Sequence, residues 1–169
     1  MVEQALTKVF CSNFVAYTKS HAAHVNIVGR NFGSDHKLLQ KVYEDLQAEI
    51  DTIGELLRTI ESYFPISLKE ILEGSSIEDD LQEDFGDGID YIQQVYDDLE
   101  TLIEVHLDLE DAADNREYNH IMNYAQDRVR ALKKHCWMLR ASMEDPKVEA
   151  AEMAAEKKMG IPEEPTPKI

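Results

Sequence analysis

The chain has 169 residues, of which 34 are acidic and 17 are basic, so its formal net charge is −17. The length suits one domain with a sizeable core, and a hydrophobic content of 43% argues against a disordered chain. The twofold acidic excess argues against a protein that coats DNA, because binding to phosphates is driven by Lys and Arg. No apolar stretch reaches the roughly 18 residues that cross a bilayer. Cys11 and Cys136 form neither a CxxC pair nor a disulfide framework, which favours a reducing cytoplasm, and the lack of a spanning apolar stretch argues against a membrane partner.

Four long segments carry apolar residues at helical spacing, and no segment alternates convincingly as a strand. The expected bounds of these helices are residues 3–28, residues 35–63, from Ile77–Leu81 to Ala113, and residues 116–143. Gly29 is a suitable end for the first helix because glycine tolerates a positive φ. Pro146 stops the last helix. Between the second and third helices, Ser67 and Glu70 form a capping box that opens a short helix.

This order of elements predicts an all-α fold, a ferritin-like four-helix bundle with a short helix in the long crossover between the second and third helices. The bundle is assigned to residues 1–143. Residues 144–169 hold seven acidic residues, four basic residues and four prolines, and we expect them to form a flexible acidic tail.

The second predicted helix also carries a polar stripe. Its members are His36, Gln40, Glu44, Gln47, Asp51 and Glu55. A solvated helix face is the simplest interpretation of such a stripe. Asp51 and Glu55 could instead chelate one cation, but His36 lies about 22–28 Å from them along the helix axis. Around a two-fold axis near residues 44–46, His36 of one chain meets Asp51 and Glu55 of another, so a site built from these residues must lie between subunits and occur twice per dimer.

Residues 17–36 resemble the signature of the Dps family of mini-ferritins (DNA-binding proteins from starved cells), His-Trp-Asn-x-x-Gly-x-x-Phe, followed by a second His and a later Asp-x-x-x-Glu. The residues that match the family's spacing are His24, His36, Asp51 and Glu55. Further agreement lies in Phe64–Glu70 of the crossover and Lys134–Arg140 of the last helix. The resemblance covers residues 3–143, and these joint matches outweigh the interpretation of the stripe as a solvated face.

The resemblance implies a hollow homododecamer that oxidises Fe(II), preferably with hydrogen peroxide rather than dioxygen, and stores the ferric mineral inside. Such a ferroxidase limits oxidative damage. By position, the catalytic and iron-binding residues would be His24 and His36 of one subunit with Asp51 and Glu55 of its two-fold mate. Mixed imidazole and carboxylate ligands suit iron.

Two positions depart from the family pattern. Gln40 stands where an Asp is usual, so we expect one firm iron position and a second that is either weak or served by water, with Gln40 as a candidate ligand. Val25 replaces the usual Trp beside the first histidine. His21 lies one turn before His24 and is interpreted as an interior residue, with contact to the metal as the alternative. Asp127, near the start of the last helix, is the candidate for lining the three-fold entry pores of the family.

DNA binding in the family usually depends on Lys-rich extensions, whereas the first 20 residues hold only Lys8 and Lys19. DNA binding is therefore not expected. The main alternative function is a shell protein with a weak iron site that acts as a structural protein and binds DNA or another partner. His106 is interpreted as a core histidine, and the lone Glu117-x-x-His120 motif as chance, because a di-iron site inside one bundle needs two such motifs.

Overall fold

The computed structural model describes residues 1–65, 67–81 and 88–144, and the predicted tail from residue 145 onward lies outside them. The helices are α1 (Val2–Asn26), α2 (Phe32–Thr59), α3 (Leu68–Gly74), α4 (Gly88–Ala112) and α5 (Asn119–Met143). No strand occurs among the described residues. The predicted all-α four-helix bundle, with a short helix in its crossover, is confirmed. None of the helices in this part of the chain is long and apolar enough to cross a membrane.

The core lies between two helix pairs, α1 with α2 and α4 with α5, and α1 also packs against α4. Each long helix contributes side chains that are shielded from solvent, because its apolar residues recur every three or four positions. Fully buried examples are Leu6, Phe10, Leu46, Ile53, Leu99, Leu102, Ile121 and Leu132. The apolar spacing therefore gives the core face of α4 and most of that of α2 and α5, whereas in α1 it also places Phe14, Tyr17 and His21 in the core, and these are only half-buried.

The start of α4 lies close to the turn between α1 and α2. Gly29 has a φ of +120°, which confirms the expected positive φ, although α1 ends at Asn26 instead of residue 28. At Gly88, the first residue of α4, an added Cβ would lie 2.3 Å from the Val28 carbonyl oxygen. Only glycine permits this approach between α4 and the turn.

The crossover contains the predicted capping box. Ser67 Oγ accepts a hydrogen bond from the Glu70 main-chain N–H at 3.2 Å. The predicted start of the third long helix at Ile77–Leu81 is wrong, since residues 75–81 are not helical and α4 begins at Gly88. Lys19 Nζ donates to the Glu78 carbonyl oxygen at 3.0 Å and to Asp80 Oδ1 at 2.7 Å, which ties this part of the crossover to α1.

An aromatic contact packs the segment after α2 against α1. Phe64 follows the helix, and its ring lies 4.4 Å from that of Phe10, centroid to centroid. A Cβ added to Gly54 would lie 2.8 Å from the Phe64 ring, so the glycine makes room for it. α2 begins three residues before the predicted start and ends at Thr59 instead of residue 63, while α5 begins at Asn119 instead of residue 116.

Candidate metal centre

The two histidines of the predicted site face each other where α1 ends and α2 begins. Their rings stack with centroids 3.7 Å apart and planes 23° apart. His24 Nδ1 lies 2.7 Å from the His36 carbonyl oxygen, and His36 Nδ1 lies 2.8 Å from the His24 carbonyl oxygen. A carbonyl oxygen can only accept, so both Nδ1 atoms carry the proton. In the neutral rings both Nε2 atoms then keep the lone pair that binds a metal.

Aromatic side chains hold this pair in place. His21 stacks on Tyr43 with ring centroids 4.2 Å apart, and the Tyr43 ring meets His24 edge-on at 5.0 Å. Phe32 lies 5.0 Å from His36 on the other side. His24 is buried, while His21 and His36 are half-buried. His21 therefore lies beside the pair, 6.2 Å from His24 between ring centroids, as a packing partner of Tyr43.

The two carboxylates of the predicted site lie far from the histidines within one chain. Asp51 and Glu55 are exposed, as the direction of the polar stripe predicts. α2 runs without a break from Phe32 to Thr59, so His36 lies about 22 Å from Asp51 along its axis. Across the described ranges, no group of three or more His, Cys, Asp or Glu side chains is placed to hold a metal ion. A site made from these residues therefore needs a second chain.

The two positions that depart from the family pattern, Gln40 and Val25, lie within about one helical turn of His36 and His24. Gln40, one turn after His36, donates its amide N–H to Glu44 Oε1 at 2.7 Å. Val25 is 64% exposed and lines a shallow depression on α1 together with Tyr17 and His21. The Gln40 N–H thus already donates to a neighbouring carboxylate, and an exposed valine stands beside His24 where the family usually has a tryptophan.

The remaining sequence candidates lie elsewhere. Asp127 is exposed and forms an ion pair with Arg130 on its own helix. His120 is exposed, and its Nε2 lies 3.4 Å from Thr59 Oγ1, at the end of α2 opposite His36. His106 is buried and donates from Nδ1 to the Leu102 carbonyl oxygen at 2.8 Å, so its interpretation as a core histidine is correct.

Sequence reasoning missed a group of charged and polar side chains inside the bundle. Arg128, whose side chain is 8% exposed, forms ion pairs with Asp45 at 2.6 Å and Glu49 at 3.4 Å. Tyr124 donates its hydroxyl to Glu49 Oε2 at 2.8 Å, and His135 Nε2 lies 3.4 Å from Asp45 Oδ2. The sequence does contain a clue, because buried positions of α5 include Ile121, Ala125, Arg128 and Leu132 at helical spacing. An arginine at such a position indicates a buried ion pair.

The charges of this interior cluster follow from its contacts. Burial raises the pKa of the Asp45 carboxyl, but hydrogen bonds from His135 and Arg128 hold that pKa well below its ordinary value. Burial and the negative charge of Glu49 raise the pKa of the Tyr124 hydroxyl. Burial lowers the pKa of His106 to about 4. At neutral pH the cluster therefore holds a charged Asp45, a neutral tyrosine and a neutral His106 around a guanidinium cation.

Comparisons with known proteins agree with this fold. The sequence profile of the ferritin-like domain family matches residues 3–147. The DNA protection during starvation protein of Brevibacillus brevis is 28% identical over 146 residues, covering 85% of this chain and 95% of that protein. The crystal structure of a Dps protein from Bacillus brevis has a TM-score of 0.79 at 26% identity, covering 85% of this chain and 95% of that one. The Dps protein of Vibrio cholerae, described as a ferritin-like diiron-carboxylate protein, has a TM-score of 0.78 at 25% identity, with coverages of 85% and 89%. The chain therefore belongs to the ferritin-like domain family, and the resemblance to its Dps members is confirmed.

Proposed function

We propose that the protein is a ferroxidase and iron store. It oxidises Fe(II), with hydrogen peroxide as the preferred oxidant, at sites shared between two subunits of a hollow shell. The observation that carries this proposal is the reciprocally bonded pair of His24 and His36, whose Nε2 atoms are left free for a metal. Iron accepts such imidazole ligands together with carboxylates.

A second copy of the chain supplies the missing carboxylates. When two α2 helices pack antiparallel about an axis near residues 44–46, His36 of one copy lies at the level of Asp51 and Glu55 of the other. Apolar side chains are exposed at both ends of α2, including Val25 at 64% near the histidines and Leu68 at 67% beyond the other end. Antiparallel packing brings these two ends together, so the same contact that completes the site also covers apolar surface.

The chemistry of the site follows from its charges. Two neutral imidazoles and two carboxylates neutralise the charge of one Fe(II) ion. Two Fe(II) ions then reduce one hydrogen peroxide, taking up two protons and giving two Fe(III) ions and two water molecules. Gln40 binds a second hard cation weakly, because the oxygen of its amide is neutral, unlike that of a carboxylate. We therefore expect one firmly bound iron per site, and the net charge of −17 attracts further cations to the shell.

DNA binding is not part of this proposal. Lys19 is buried at 2% exposure and bonded to Asp80 and Asp98, so it offers no charge to a phosphate. Lys8 lies 3.7 Å from Asp108. An electrophoretic mobility shift at low salt, where phosphate contacts are strongest, should show no retardation of duplex DNA.

Stopped-flow oxidation of Fe(II) by substoichiometric hydrogen peroxide tests the function, on protein whose native mass has been measured. We expect saturable oxidation that is lost in both His36→Ala and Asp51→Ala. Glu104→Ala removes an exposed carboxylate of α4 outside the site and should leave the rate unchanged. Wild-type kinetics in either of the first two variants would show that the site is elsewhere.

A further inference from the structure

Positive charge is concentrated on α5. This helix contains five basic residues and one acidic residue, although the whole chain has 34 acidic and 17 basic residues. Four of the five basic side chains are exposed, and they share the outer face of the helix with Trp137, which is 58% exposed. At 3.6 residues per turn these positions fall within about a third of the helix circumference. We call them the basic surface, and its members are Arg130, Lys133, Lys134, Trp137 and Arg140.

The neighbouring helix, α4, carries the opposite charge. It contains eight acidic residues and no Lys or Arg. Five of the acidic side chains are exposed, and they recur every three or four residues, so they lie on one face of the helix. We call them the acidic surface, and its members are Asp97, Glu100, Glu104, Asp108 and Asp111. Carboxylates crowded in this way repel one another, and cations supplied from outside the helix relieve the repulsion.

We infer that the basic surface of one copy of the chain binds the acidic surface of another copy. A two-fold contact through α2 joins only two chains, because both partners use the same patch and that patch is then filled. A hollow shell therefore needs a further contact between different surfaces. The outer faces of α4 and α5 lie outside the contact that α2 makes, and their charges match. The need for a further contact rests on the proposed function, whereas the match of charge does not.

The composition of the basic surface fits a contact between proteins. Tryptophan and arginine are the side chains most enriched at the energetic centre of such contacts. Arg130 and Arg140 pair with Asp127 and Glu144 of their own chain, but all four side chains are more than half exposed. Exposed ion pairs of this kind contribute little, so the arginines can exchange them for carboxylates of a partner.

A second copy of the chain fits this surface better than a nucleic acid does. Each chain has a net charge of −17, so an assembly of many copies repels a polyanion over most of its surface. The acidic surface of another copy is instead a local match on a protein that is always present at the same concentration. Complementary charge also determines which two surfaces meet, because like surfaces repel each other.

Reversal of the basic surface should stop assembly at the dimer. We would compare the native masses of the wild type and of a chain that carries Arg130→Glu, Lys133→Glu and Lys134→Glu, both free of iron. The wild type should be larger than a dimer, and the reversed chain should be a dimer. Because the proposed iron sites are complete within a dimer, the reversed chain should oxidise Fe(II) with peroxide at the wild-type rate per site.

A charge swap shows which surface the cations meet. Adding Asp97→Lys, Glu100→Lys and Glu104→Lys to the reversed chain exchanges the signs on both surfaces, so each contact is attractive again. The swapped chain should recover the wild-type mass, which a chain that had merely lost its fold could not do. A swapped chain that stays a dimer would show that the basic surface meets another acidic segment, such as residues 144–169, and would overturn the inference.

The control makes the same change in net charge at three exposed positions outside both surfaces. It carries Arg30→Glu, Lys69→Glu and Arg116→Glu and should keep the wild-type mass. The inference is overturned if the control also stops at the dimer, if the reversed chain assembles like the wild type, or if the wild type is itself no larger than a dimer. Masses are measured without iron, so a failure of the proposed ferroxidase activity would leave these results unchanged.

Discussion

His24 and His36 each accept, at the main-chain oxygen, a hydrogen bond from the Nδ1–H of the other, at 2.7 and 2.8 Å. This exchange joins the last turn of α1 to the first turns of α2 and fixes both rings before any metal binds. A ligand pair that is already oriented loses little side-chain entropy on binding iron. Replacement of one histidine therefore removes a ligand and also releases its partner.

Mixing two inactive variants tests whether the site is shared between chains. His36→Ala and Asp51→Ala should each be inactive, since each removes a ligand from every site. In a mixed dimer, one site loses both ligands and the other keeps the intact His36 of one chain and the intact Asp51 of the other. Random mixing of equal amounts after dissociation and reassembly should restore about a quarter of the wild-type sites. The measurement is peroxide-driven Fe(II) oxidation of the mixture.

Its control is a mixture of His36→Ala with His24→Ala. Both substitutions affect the half of the site that one chain supplies, so no mixed dimer regains an intact site. Activity in this control, or none in the first mixture once mixed dimers are shown by native mass spectrometry, would contradict the shared geometry.

Much of the fold can be predicted from local patterns. Apolar spacing gives all four long helices to within a few residues at most ends, and the capping box at Ser67 forms as expected. The exposure of Asp51 and Glu55 follows from their angular positions on α2. The start of α4 could not be predicted in this way. Residues 75–81 are not helical, and Glu78 and Asp80 among them bond to Lys19, which precedes them by about sixty positions.

The interior cluster was missed for a related reason. Apolar spacing in α5 favours Val129 as a core residue, yet the structure buries Arg128 and leaves Val129 half-buried. The burial of Arg128 depends on Asp45 and Glu49 of another helix. The reciprocal bonds between His24 and His36 likewise depend on the conformation of the turn between α1 and α2, which helical spacing does not predict. Apolar periodicity predicts which face of a helix is buried, but it does not predict which side chains of different helices contact each other.

Gln40→Asp should strengthen the second iron position. The substitution supplies a carboxylate one turn after His36, and a carboxylate binds a hard cation more strongly than a neutral amide. The number of ions bound in an anaerobic Fe(II) titration should then rise from about one to about two per site, because the added carboxylate completes the second position. Gln93→Asp, an exposed change on α4, should leave the stoichiometry unchanged. Equal titres in wild type and Gln40→Asp would show that this position does not contact iron.

His106 should make stability fall in mild acid. Burial lowers its pKa to about 4 from the ordinary value of 6.5, so the unfolded chain binds a proton over this range while the folded chain does not. The free energy of unfolding therefore decreases as pH falls from about 6.5 to about 4, by about 3 kcal/mol from this residue. His106→Leu, which cannot titrate, should lose this component. Urea unfolding at several pH values measures the difference curve, and a curve that is flat between pH 4 and 6.5 would contradict the assignment.

Lys19→Met should destabilise the bundle and free part of the crossover. The side chain is 2% exposed and bonds Asp98 at 2.8 Å, so its loss leaves a buried carboxylate without its cation. Burial already raises the pKa of Asp98 to about 6 despite the lysine. Breaking such a pair costs about 3 kcal/mol of unfolding free energy, measured by urea denaturation at pH 7. Proteases should also cleave the variant faster within residues 75–81, because the hydrogen bonds from Lys19 to Glu78 and Asp80 are lost.

Two further variants distinguish the effect of breaking the buried Lys19–Asp98 ion pair from a general effect of removing a lysine. Lys8→Met breaks an ion pair whose lysine and aspartate side chains are 44% and 68% exposed, and it should cost less than about 1 kcal/mol. Lys19→Met with Asp98→Leu removes both buried charges and should recover most of the lost stability, since an apolar pair fills the space without unpaired charge. If the double variant is as unstable as Lys19→Met alone, the cost arises from the lost contacts to Glu78 and Asp80 instead of from the unpaired carboxylate.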